Sequence, residues 1–509
     1  MANSIDFNDL FVLDIANNHQ GDIKHGLEII KNHSLSFKGK LKNRLAFKFQ
    51  FRQLESFIHK NFLGNKDIKH LDRFESTKLS PEEYEILFRK VRQLGHITMC
   101  TPFDEQSVVL IENMKFDIIK IASCSNTDWP LIQRVVDSGI PIICSTGGLE
   151  IEQIDNLVSF FEHKGADFAI MHCVSLYPTP EDLLAVNQIE LLKKRYPNTV
   201  VGWSTHEKPE NYEIIKIAYA KGARIFERHI GLETSSYKLN KYSSTQKQIQ
   251  NWLNAWISTK EICGKDSFRN ISSEEIKAIE ELKRGIYARK NIKKNKILSL
   301  EDVYFAMPLQ KGQLSSSEWN LNLKTLKEIK KDGQIKKKLV KDSKHSNIQI
   351  IKNSIHKIKA MLNLSKIYLN SDFSVEFSHH YGIEKFHKYG ATIINCINRA
   401  YCKKLVVMFA GQKHPPHFHK LKEETFQILS GEMFISLDGK IKQLLSGDTI
   451  LIQPGAWHSF WAEKDCIFEE ISTTHFNNDS FYKDKLINKK KREDRKTFVD
   501  HWGRFQIVP

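Results

Sequence analysis

The 509-residue sequence lacks a long apolar run, a leader-like start and paired cysteines. A membrane-spanning helix needs about 18 or more consecutive apolar residues, and no such stretch occurs. The opening MANSIDFNDL does not show the basic-then-apolar pattern of a secretory peptide. The 8 cysteines are scattered without a Cys-x-x-Cys pair, which argues against a zinc ribbon or a disulfide framework. We therefore expect a cytoplasmic protein with no membrane partner.

Acidic residues are outnumbered: 76 Lys and Arg face 60 Asp and Glu, a formal net charge of +16. Such a charge suits a polyanion or an anionic substrate. The lysines are spread along the chain, and the clusters at 327–342 and 483–496 contain acids and adjoin no nucleic-acid-binding motif. We therefore expect no nucleic-acid partner.

Residues 1–265 alternate short apolar runs with longer amphipathic stretches, which predicts a parallel sheet with helical crossovers. Eight such repeats in about 250 residues match the size of a (β/α)8 barrel, with a doubly wound sheet as the alternative. An amphipathic helix is expected at 81–95. The predicted strands are Phe11–Ile15, Leu45–Phe51, His96–Cys100, Ile118–Ala122, Ile140–Ser145, Phe168–His172, Val200–Gly202 and Arg224–His229.

Two further domains are expected after the barrel, so the chain as a whole is predicted to be an α/β protein. Residues 280–345 read as a small β-rich domain with a helix-start signal at Ser299 and Asp302. The lysine-rich stretch 327–360 reads as a partly helical linker. Residues 365–485 show short alternating strands and Gly-rich turns, which predict an all-β barrel or sandwich.

Polar side chains follow nearly every predicted barrel strand, at the end where such barrels carry their chemistry. Lys48 and Gln50 alternate along the second strand and point the same way, and Lys120 lies on the fourth. A lone lysine or hydroxyl is usually a snorkelling or capping residue. Two lysines and several hydroxyls at one mouth instead suit a phosphate or a carboxylate. The remaining polar residues at these ends are Asp14, Asn18, His19, Thr101, Ser123, Ser145, Thr146, His172, Ser175, Ser204, His206, Arg228 and His229.

His206 and His229 follow the two last strands, which are neighbours in a closed barrel. Two imidazoles suit a divalent metal with open coordination positions. Two histidines alone are equally compatible with a structural role.

The predicted barrel contains the segments LDIANNHQGD (13–22), KFQ (48–50), TPFD (101–104), KIAS (120–123), STGG (145–148), HCVSLYPTP (172–180), GWSTHE (202–207) and FERHIG (226–231). In this order they resemble the N-acetylneuraminate (sialic acid) synthase family. The segment at 284–303, RGIYARKNIKKNKILSLEDV, resembles the antifreeze-like (SAF) domain that follows the barrel in this family.

The resemblance implies condensation of phosphoenolpyruvate with an aldose such as N-acetylmannosamine, which forms a nonulosonate and releases phosphate. It implies a divalent metal, commonly Mn²⁺ with Mg²⁺ as the alternative. It also implies a homodimer in which the SAF domain caps the partner's site.

Carried over residue by residue, the resemblance assigns His206 and His229 to the metal and Gln50 and Tyr177 to the sugar. Asp14, where the family usually has Glu, is the expected acid/base group beside the two histidines. The phosphoenolpyruvate positions are Lys48, Thr101, Lys120, Ser123, Ser145, Ser175 and Ser204.

Like Asp14, three more residues differ from those usual in this family. Ser125 stands where the family usually has Glu, Asn240 where it often has Asp, and Met307 where it usually has Arg. All four lie on the sugar or acid/base side, so the donor is expected to be unchanged and the acceptor to differ. Another phosphoenolpyruvate–aldose 2-keto acid synthase is therefore an alternative. A non-catalytic sugar-binding or scaffold protein is a second one.

The C-terminal region carries the spacing of both cupin motifs. His417 and His419 lie two residues apart and face the same way, and with Glu424 and His458 they form a ligand set for Mn, Fe, Ni, Co or Zn. The flanking glycines are Gly411, Gly431, Gly447 and Gly455, with Gln453 in place of the usual Pro.

The wider C-terminal segment resembles cupins of the D-lyxose ketol-isomerase type, with Glu469, Glu470 and His475 as acid/base candidates. Because cupins also serve as sugar-binding modules, an isomerase or epimerase and a binding module both stay open.

Overall fold

The computed structural model describes residues 5–37, 39–342, 347–369, 372–500 and 502. The chain divides into two compact units, residues 1–270 and 271–509. Within these described ranges, no helix combines the length and the apolar character that a membrane crossing requires.

The first unit is a closed barrel of eight parallel strands in chain order, which confirms the predicted fold class. Asp14 pairs in register with Lys48 on one side and with His229 on the other, so these three residues lie at one level. The strands are β1 (Leu10–Asp14), β2 (Leu45–Phe51), β3 (Ile97–Pro102), β4 (Ile118–Ile121), β5 (Ile142–Ser145), β6 (Phe168–Cys173), β7 (Val200–Thr205) and β8 (Ile225–His229).

Helices alternate with these strands as the sequence predicts. The predicted helix at 81–95 spans Pro81–Gln93, and Ser80 and Glu83 close a capping box at its start. The helices of this unit are α1 (Ile23–Ser34), α2 (Leu54–Phe57), α3 (Lys69–Ser76), α4 (Pro81–Gln93), α5 (Glu105–Met114), α6 (Trp129–Asp137), α7 (Ile151–His163), α8 (Asn187–Arg195), α9 (Glu213–Ala220) and α10 (Gln246–Cys263).

Two of the helices, α2 and α3, are extra: they belong to an insertion between β2 and α4, whereas one helix follows each of the other strands. The insertion follows the carboxyl end of β2. It therefore lies at the face of the barrel that carries the polar residues.

An apolar layer closes the inside of the barrel below the site, and a polar layer lies directly above it. The apolar layer includes Val12, Ala46, Met99, Ile118, Ile143, Met171 and Ile225. Two residues further along each strand the side chain is polar or a thiol: Asp14, Lys48, Thr101, Lys120, Ser145, Cys173 and Glu227. Because side chains repeat direction every second residue, one alternation along each strand builds both layers.

The second unit begins with α11 (Ser273–Leu282) and a small β-rich segment of two antiparallel pairs, β9 (Gly285–Ala288) with β10 (Val303–Ala306) and β11 (Leu323–Thr325) with β12 (Val340–Asp342). The predicted helix start at Ser299 is wrong. Asp302 does accept hydrogen bonds from Ser299, but it also pairs with Lys290 and Lys296, and the chain continues into β10.

The predicted linker at 327–360 is also wrong in its first half. Ile329, Ile335 and Val340 belong to the core of the small segment, while most lysines between them are exposed. The many lysines made this stretch look like a linker, although three of its apolar residues are part of a core. The second half is helical, as expected: α12 spans Asn347–Leu364.

The remainder of the second unit folds into two antiparallel sheets, as predicted for residues 365–485. The seven-stranded sheet has the order β20-β17-β22-β15-β14-β13-β24, and the five-stranded sheet β19-β18-β21-β16-β23. The elements are β13 (Ser374–Ser378), β14 (Ala391–Asn398), β15 (Tyr401–Met408), β16 (Lys413–His419), β17 (Glu424–Ser430), β18 (Glu432–Leu437), β19 (Lys440–Leu445), β20 (Thr449–Ile452), β21 (His458–Trp461), β22 (Cys466–Thr473), β23 (Ser480–Tyr482), α13 (Lys485–Lys489) and β24 (Lys496–Asp500).

Helix α12 is part of the core of these sheets. Ile355 and Ile358 pack in one apolar cluster with Phe377, Ile394 and Val499. The packed region therefore continues on both sides of residues 365–485.

Replacing Ile358 by Ala tests this packing. Ile358 is fully buried, so the substitution should lower the free energy of unfolding by about 2–5 kcal/mol. Ile348, on the same helix, is 54% exposed, and Ile348→Ala should cost less than about 0.5 kcal/mol. Urea unfolding of the full chain measures both, and equal effects would show that α12 does not pack as described.

Candidate active site and metal centre

A cavity of about 950 Å³ opens above the polar layer of the barrel. The structure brings every barrel residue that the family resemblance assigned to the site into its lining, whereas His19, Thr146, His172 and Arg228 are buried outside it. The assigned residues in the lining are Asp14, Lys48, Gln50, Thr101, Lys120, Ser123, Ser145, Ser175, Tyr177, Ser204, His206 and His229. Of the three further departures, Asn240 also lines the cavity, Ser125 is buried outside the lining, and Met307 is an exposed residue of the second unit.

Four buried charged residues form the floor of the cavity, and we call them the charge cluster: Asp14, Lys48, Lys120 and Glu227. The Lys48 Nζ lies 2.6 Å from Glu227 Oε1 and 3.0 Å from Asp14 Oδ2. The Lys120 Nζ lies 3.4 Å from Glu227 Oε2 and donates to Ser145 Oγ at 2.6 Å. Two ammonium groups and two carboxylates therefore balance one another in a water-poor site.

The pKa values in the charge cluster follow from this balance. Burial favours the neutral form of Glu227, but Lys120 and Lys48 hold the pKa of its carboxyl well below the usual range. Burial likewise opposes the charge on Lys48, while Asp14 and Glu227 raise the pKa of its ammonium group above the ordinary value. Glu227 and Lys48 are therefore both charged at neutral pH.

Glu227 was missed by the sequence analysis. It lies two residues before His229 on β8, so both side chains face the barrel interior. The two-residue spacing from His229 could therefore have predicted that Glu227 faces the barrel interior. Arg228, between them, points away and pairs with buried Glu207 at 2.9 Å, which makes it a structural residue.

Hydroxyl groups from three neighbouring strands converge beside Lys120. A Cβ atom at Gly147 would lie 2.6 Å from Ser123 Oγ and 2.9 Å from Ser175 Oγ, so only glycine lets these groups approach. The buried Thr101 Oγ1 has no hydrogen-bond partner in the part of the chain that the structure describes. Buried polar groups are normally paired, so this hydroxyl is available to a ligand.

His206 and His229 face each other with ring centroids 5.4 Å apart. The His206 Nδ1 lies 2.8 Å from the carbonyl oxygen of Val174, which places the proton on Nδ1 and leaves Nε2 free as a ligand atom. Burial lowers the pKa of His229 to about 4, so its ring is neutral near pH 7, the form that binds metals. The pair fits a divalent ion with open positions.

On the sugar side, Gln50 donates to Asp14 Oδ2 at 3.1 Å and accepts from Arg52 at 2.8 Å. The ring of Tyr177 packs against His206 at 4.2 Å and leaves half of the residue exposed. The Asn240 amide donates to the side chain of Asn18 at 3.2 Å. These residues are polar but carry no negative charge apart from Asp14.

In the second unit, His417, His419 and His458 place one ring nitrogen each within 4.8 Å of the others. The Nδ1 atoms lie 3.0 Å from Pro415 O, 2.8 Å from Asp479 O and 3.1 Å from Ala456 O, respectively. Each carbonyl fixes the proton on Nδ1, so all three Nε2 atoms are free to hold one ion. Burial lowers the pKa of His417 well below its ordinary value and that of His419 to about 4, which favours the neutral, ligating form.

Glu424 completes this set: its carboxylate oxygens lie 3.5 Å from His419 Nε2 and 3.4 Å from His458 Nε2. Lys422, which the sequence analysis missed, is buried and contacts both Glu424 and Glu470. A lysine between two carboxylates keeps both ionised. Lys404 and Lys422 lower the pKa of Glu470 to about 2 in spite of its burial.

A small cavity of about 50 Å³ adjoins the three histidines. Of the predicted acid/base candidates, Glu470 and His475 line it. Glu469 does not, because neighbouring residues of a strand face opposite sides, and it pairs with Lys403 instead.

Comparisons with known proteins identify a family for each of two regions of the chain. Residues 44–267 match the NeuB family, and residues 404–471 match the cupin domain. The chain is 31% identical over 293 residues to an uncharacterised protein of Methanocaldococcus jannaschii, an alignment that covers 57% of this chain and 82% of that protein. It is 24% identical over 306 residues to the N,N'-diacetyllegionaminic acid synthase of Campylobacter jejuni, covering 57% and 87%.

Among solved structures, a Chromobacterium violaceum protein named for spore coat polysaccharide biosynthesis (protein E) aligns with a TM-score of 0.63 and 39% identity. The alignment covers 65% of this chain and 99% of that one. This chain belongs to the NeuB family of sialic acid synthase-like proteins, and its C-terminal part carries a cupin domain.

Replacing Glu227 by Gln tests the charge cluster. The substitution leaves two buried ammonium groups under-compensated and should destabilise the protein by about 3 kcal/mol. Because the folded-state pKa of Glu227 is lowered, the difference from wild type should be full above about pH 4.3 and shrink as the pH falls further.

Glu190→Gln is the matched control, since Glu190 also pairs with two lysines, Lys194 and Lys221, but on the surface. It should lower the stability far less than Glu227→Gln does, because water screens a surface ion pair. Urea unfolding as a function of pH measures both variants. Equal losses would contradict the description of Glu227 as the buried counter-ion.

His417→Ala tests the second metal centre. The variant should lose the metal ion bound by the histidine triad, because two imidazoles and one carboxylate hold an ion less tightly than the full set. His356→Ala, on the exposed side of α12, should retain it. Elemental analysis of the purified proteins gives the metal content per chain, and an unchanged content in His417→Ala would refute the site.

Proposed function

We propose that the barrel condenses phosphoenolpyruvate with an aldose of the N-acetylmannosamine type, forming a sialic-acid-type nonulosonate and releasing phosphate. The observation that carries this proposal is the convergence of Lys48, Lys120 and unpaired or clustered hydroxyls in one cavity of a NeuB-family barrel. The similarity to an N,N'-diacetyllegionaminic acid synthase supports it.

Phosphoenolpyruvate carries a phosphate and a carboxylate, and the floor of the cavity offers groups for both. Lys48 and Lys120 supply fixed positive charge, and Thr101, Ser123, Ser145, Ser175 and Ser204 supply donors. In a buried site these interactions are stronger than in water and need no reorganisation when the reaction begins. The donor is therefore held and oriented beside the two histidines.

The acceptor aldehyde binds next to His206, His229 and Asp14, with Gln50 and Tyr177 along its carbon chain. His206 and His229 would hold a divalent ion, Mn²⁺ or Mg²⁺, which would supply Lewis-acid polarisation of the aldehyde. C3 of phosphoenolpyruvate bonds to the aldehyde carbon while water adds at C2. Asp14, held by Gln50 and Lys48, accepts a proton from this water and passes it to the former aldehyde oxygen, which becomes the new hydroxyl. The hydroxyl at C2 then loses its remaining proton and becomes the keto oxygen as the bond from C2 to the phosphate oxygen breaks and phosphate leaves with that proton.

The small β-rich segment is the proposed counterpart of the SAF domain, with a homodimer as the expected assembly. The support is its own apolar core around Ile286, Ile292 and Ile335, together with the sequence resemblance of 284–303. Met307 is 54% exposed, which suits a residue at a surface.

For the cupin we propose a metal-dependent sugar module that acts either as an isomerase or epimerase or as a binding domain. Its support is the histidine triad with Glu424, beside a cavity that Lys404, Glu470 and His475 also line. Ionised acids and buried lysines beside a metal site suit proton transfer at a sugar carbonyl. The metal identity is open among Mn, Fe, Ni, Co and Zn.

Phosphate release from phosphoenolpyruvate with Mn²⁺, across acetamido- and plain aldoses, tests the barrel function. We expect one phosphate for each 2-keto acid formed, with a product three carbons longer than the acceptor, identified by mass spectrometry. Phosphate release without a longer product, or none with any aldose, would contradict the proposal. A product other than a nonulosonate would favour another phosphoenolpyruvate–aldose synthase.

His206→Ala should lower metal-dependent phosphate release by more than about 100-fold, since Lewis-acid assistance contributes several kcal/mol. His163→Ala, at the exposed end of α7, is the control and should keep full activity. Full activity in His206→Ala would remove this residue from the metal site.

A further inference from the structure

Lys48 and Gln50 on one face of β2, and Arg52 directly after its end, form a row of alternate residues that we call the ladder. They are alternate residues of an extended chain, so each step rises about 6.6 Å and Arg52 lies about 13 Å beyond Lys48 towards the rim. Lys48 belongs to the floor, Gln50 contacts Asp14 from above, and Arg52 donates to Gln50. The ladder thus runs from the reacting centre to the mouth of the cavity.

Arg52 is held rigidly at this rim. Its guanidinium carbon lies 4.1 Å from the ring centre of Phe74 and 3.7 Å from that of Phe103, so the group is sandwiched between two aromatic faces. Its Nε is buried without a hydrogen-bond partner among the described residues. A guanidinium whose plane is fixed by stacking offers its edge as a preorganised donor.

A second arginine, Arg73 on α3, lines the same rim beside His70. In the part of the chain that the structure describes, neither Arg52 nor Arg73 has an ion-pair partner, although most other arginines do. The acids that line the cavity, Asp14 and Glu227, lie on the floor and are already paired with lysines. The rim therefore carries two uncompensated positive charges.

Burial lowers the pKa of Arg52 to about 10, so the group is still charged near neutral pH. Keeping an unpaired guanidinium partly buried is costly for a folded protein. An anionic ligand at the rim would remove that cost, and a guanidinium binds a phosphate or carboxylate through two parallel hydrogen bonds.

We infer that the acceptor aldose carries an anionic group, a phosphate ester or a carboxylate, at the end of its carbon chain distant from the aldehyde, and that Arg52 and Arg73 bind this group. The inference rests on the proposed condensation and names its acceptor class. With the aldehyde beside Asp14, the chain of the sugar runs along Gln50 and brings its far end to Arg52.

Matched acceptors test the inference directly. Phosphate release is measured with phosphoenolpyruvate, Mn²⁺ and either N-acetylmannosamine, its 6-phosphate or the corresponding uronate. We expect a kcat/KM at least about 10-fold higher for one of the two anionic sugars than for the neutral one. A hydrogen-bonded charge contact supports a difference of this size, and the better anion identifies phosphate or carboxylate. Preference for the neutral sugar overturns the inference while leaving the condensation established.

Arg73→Gln should remove about 10- to 100-fold in kcat/KM for the anionic acceptor and change that for the neutral acceptor less than about threefold. Arg52→Gln should lower kcat/KM for both acceptors, because Arg52 also holds Gln50, but should lower it more for the anionic one. Arg73 is exposed, so its variant does not depend on the packing of the site. Arg89→Gln, in an exposed pair with Glu85 on α4, is the control and should leave both values unchanged. Equal losses for neutral and anionic acceptors would assign the arginines to structure.

A binding measurement separates this inference from the condensation itself. The reduced sugars N-acetylmannosaminitol and its 6-phosphate cannot condense, and calorimetry in the presence of phosphoenolpyruvate measures their affinity. If wild type binds the 6-phosphate more tightly than the neutral alditol, and Arg73→Gln abolishes this difference in affinity, the rim site is supported even if no sugar is turned over. Equal or absent binding of the two alditols, together with no anionic preference in turnover, overturns it.

Discussion

The barrel site depends on one carboxylate, Glu227, shared between two buried lysines. An ammonium group inside a barrel is expensive to bury unless an opposite charge lies within hydrogen-bond distance. Glu227 meets this requirement for Lys48 at 2.6 Å and for Lys120 at 3.4 Å, and Asp14 adds a second contact to Lys48. The same contacts hold both lysines in place, so that the groups proposed to bind an anionic substrate are already positioned.

The alternation of side chains along each strand explains why so much of this could be predicted. The eight strands were expected within a few residues of their true bounds, and every barrel residue that the family resemblance assigned to the site lines one cavity. Glu227 was missed because only the last residues of β8 were considered as site residues, although Glu227 faces the barrel interior two residues before the end of the strand. The same rule of alternation separates Glu470, which lines the cupin cavity, from Glu469, which does not.

Other features of the structure could not be predicted from sequence patterns alone. The segment at 327–342 looked like a linker because lysines outnumber its core residues, and only packing shows that Ile329 and Ile335 are buried. The turn at Ser299 has capping chemistry without a helix, since Asp302 is also bound by two lysines. The roles of Arg52 and Lys422 depend on contacts with residues distant in sequence. Arg52 stacks on Phe103, and Lys422 pairs with Glu470 beside the cupin cavity.

The central claim is that the charge cluster is an anion site for phosphoenolpyruvate, and calorimetric titration of this compound without any sugar tests it most directly. The account predicts saturable binding of one phosphoenolpyruvate per barrel, weakened at least about 10-fold in Lys120→Met because a charged contact is lost. Lys221→Met, which removes a surface partner of Glu190, should bind as wild type does. Equal affinity in wild type and Lys120→Met, or no binding at all, would contradict the account.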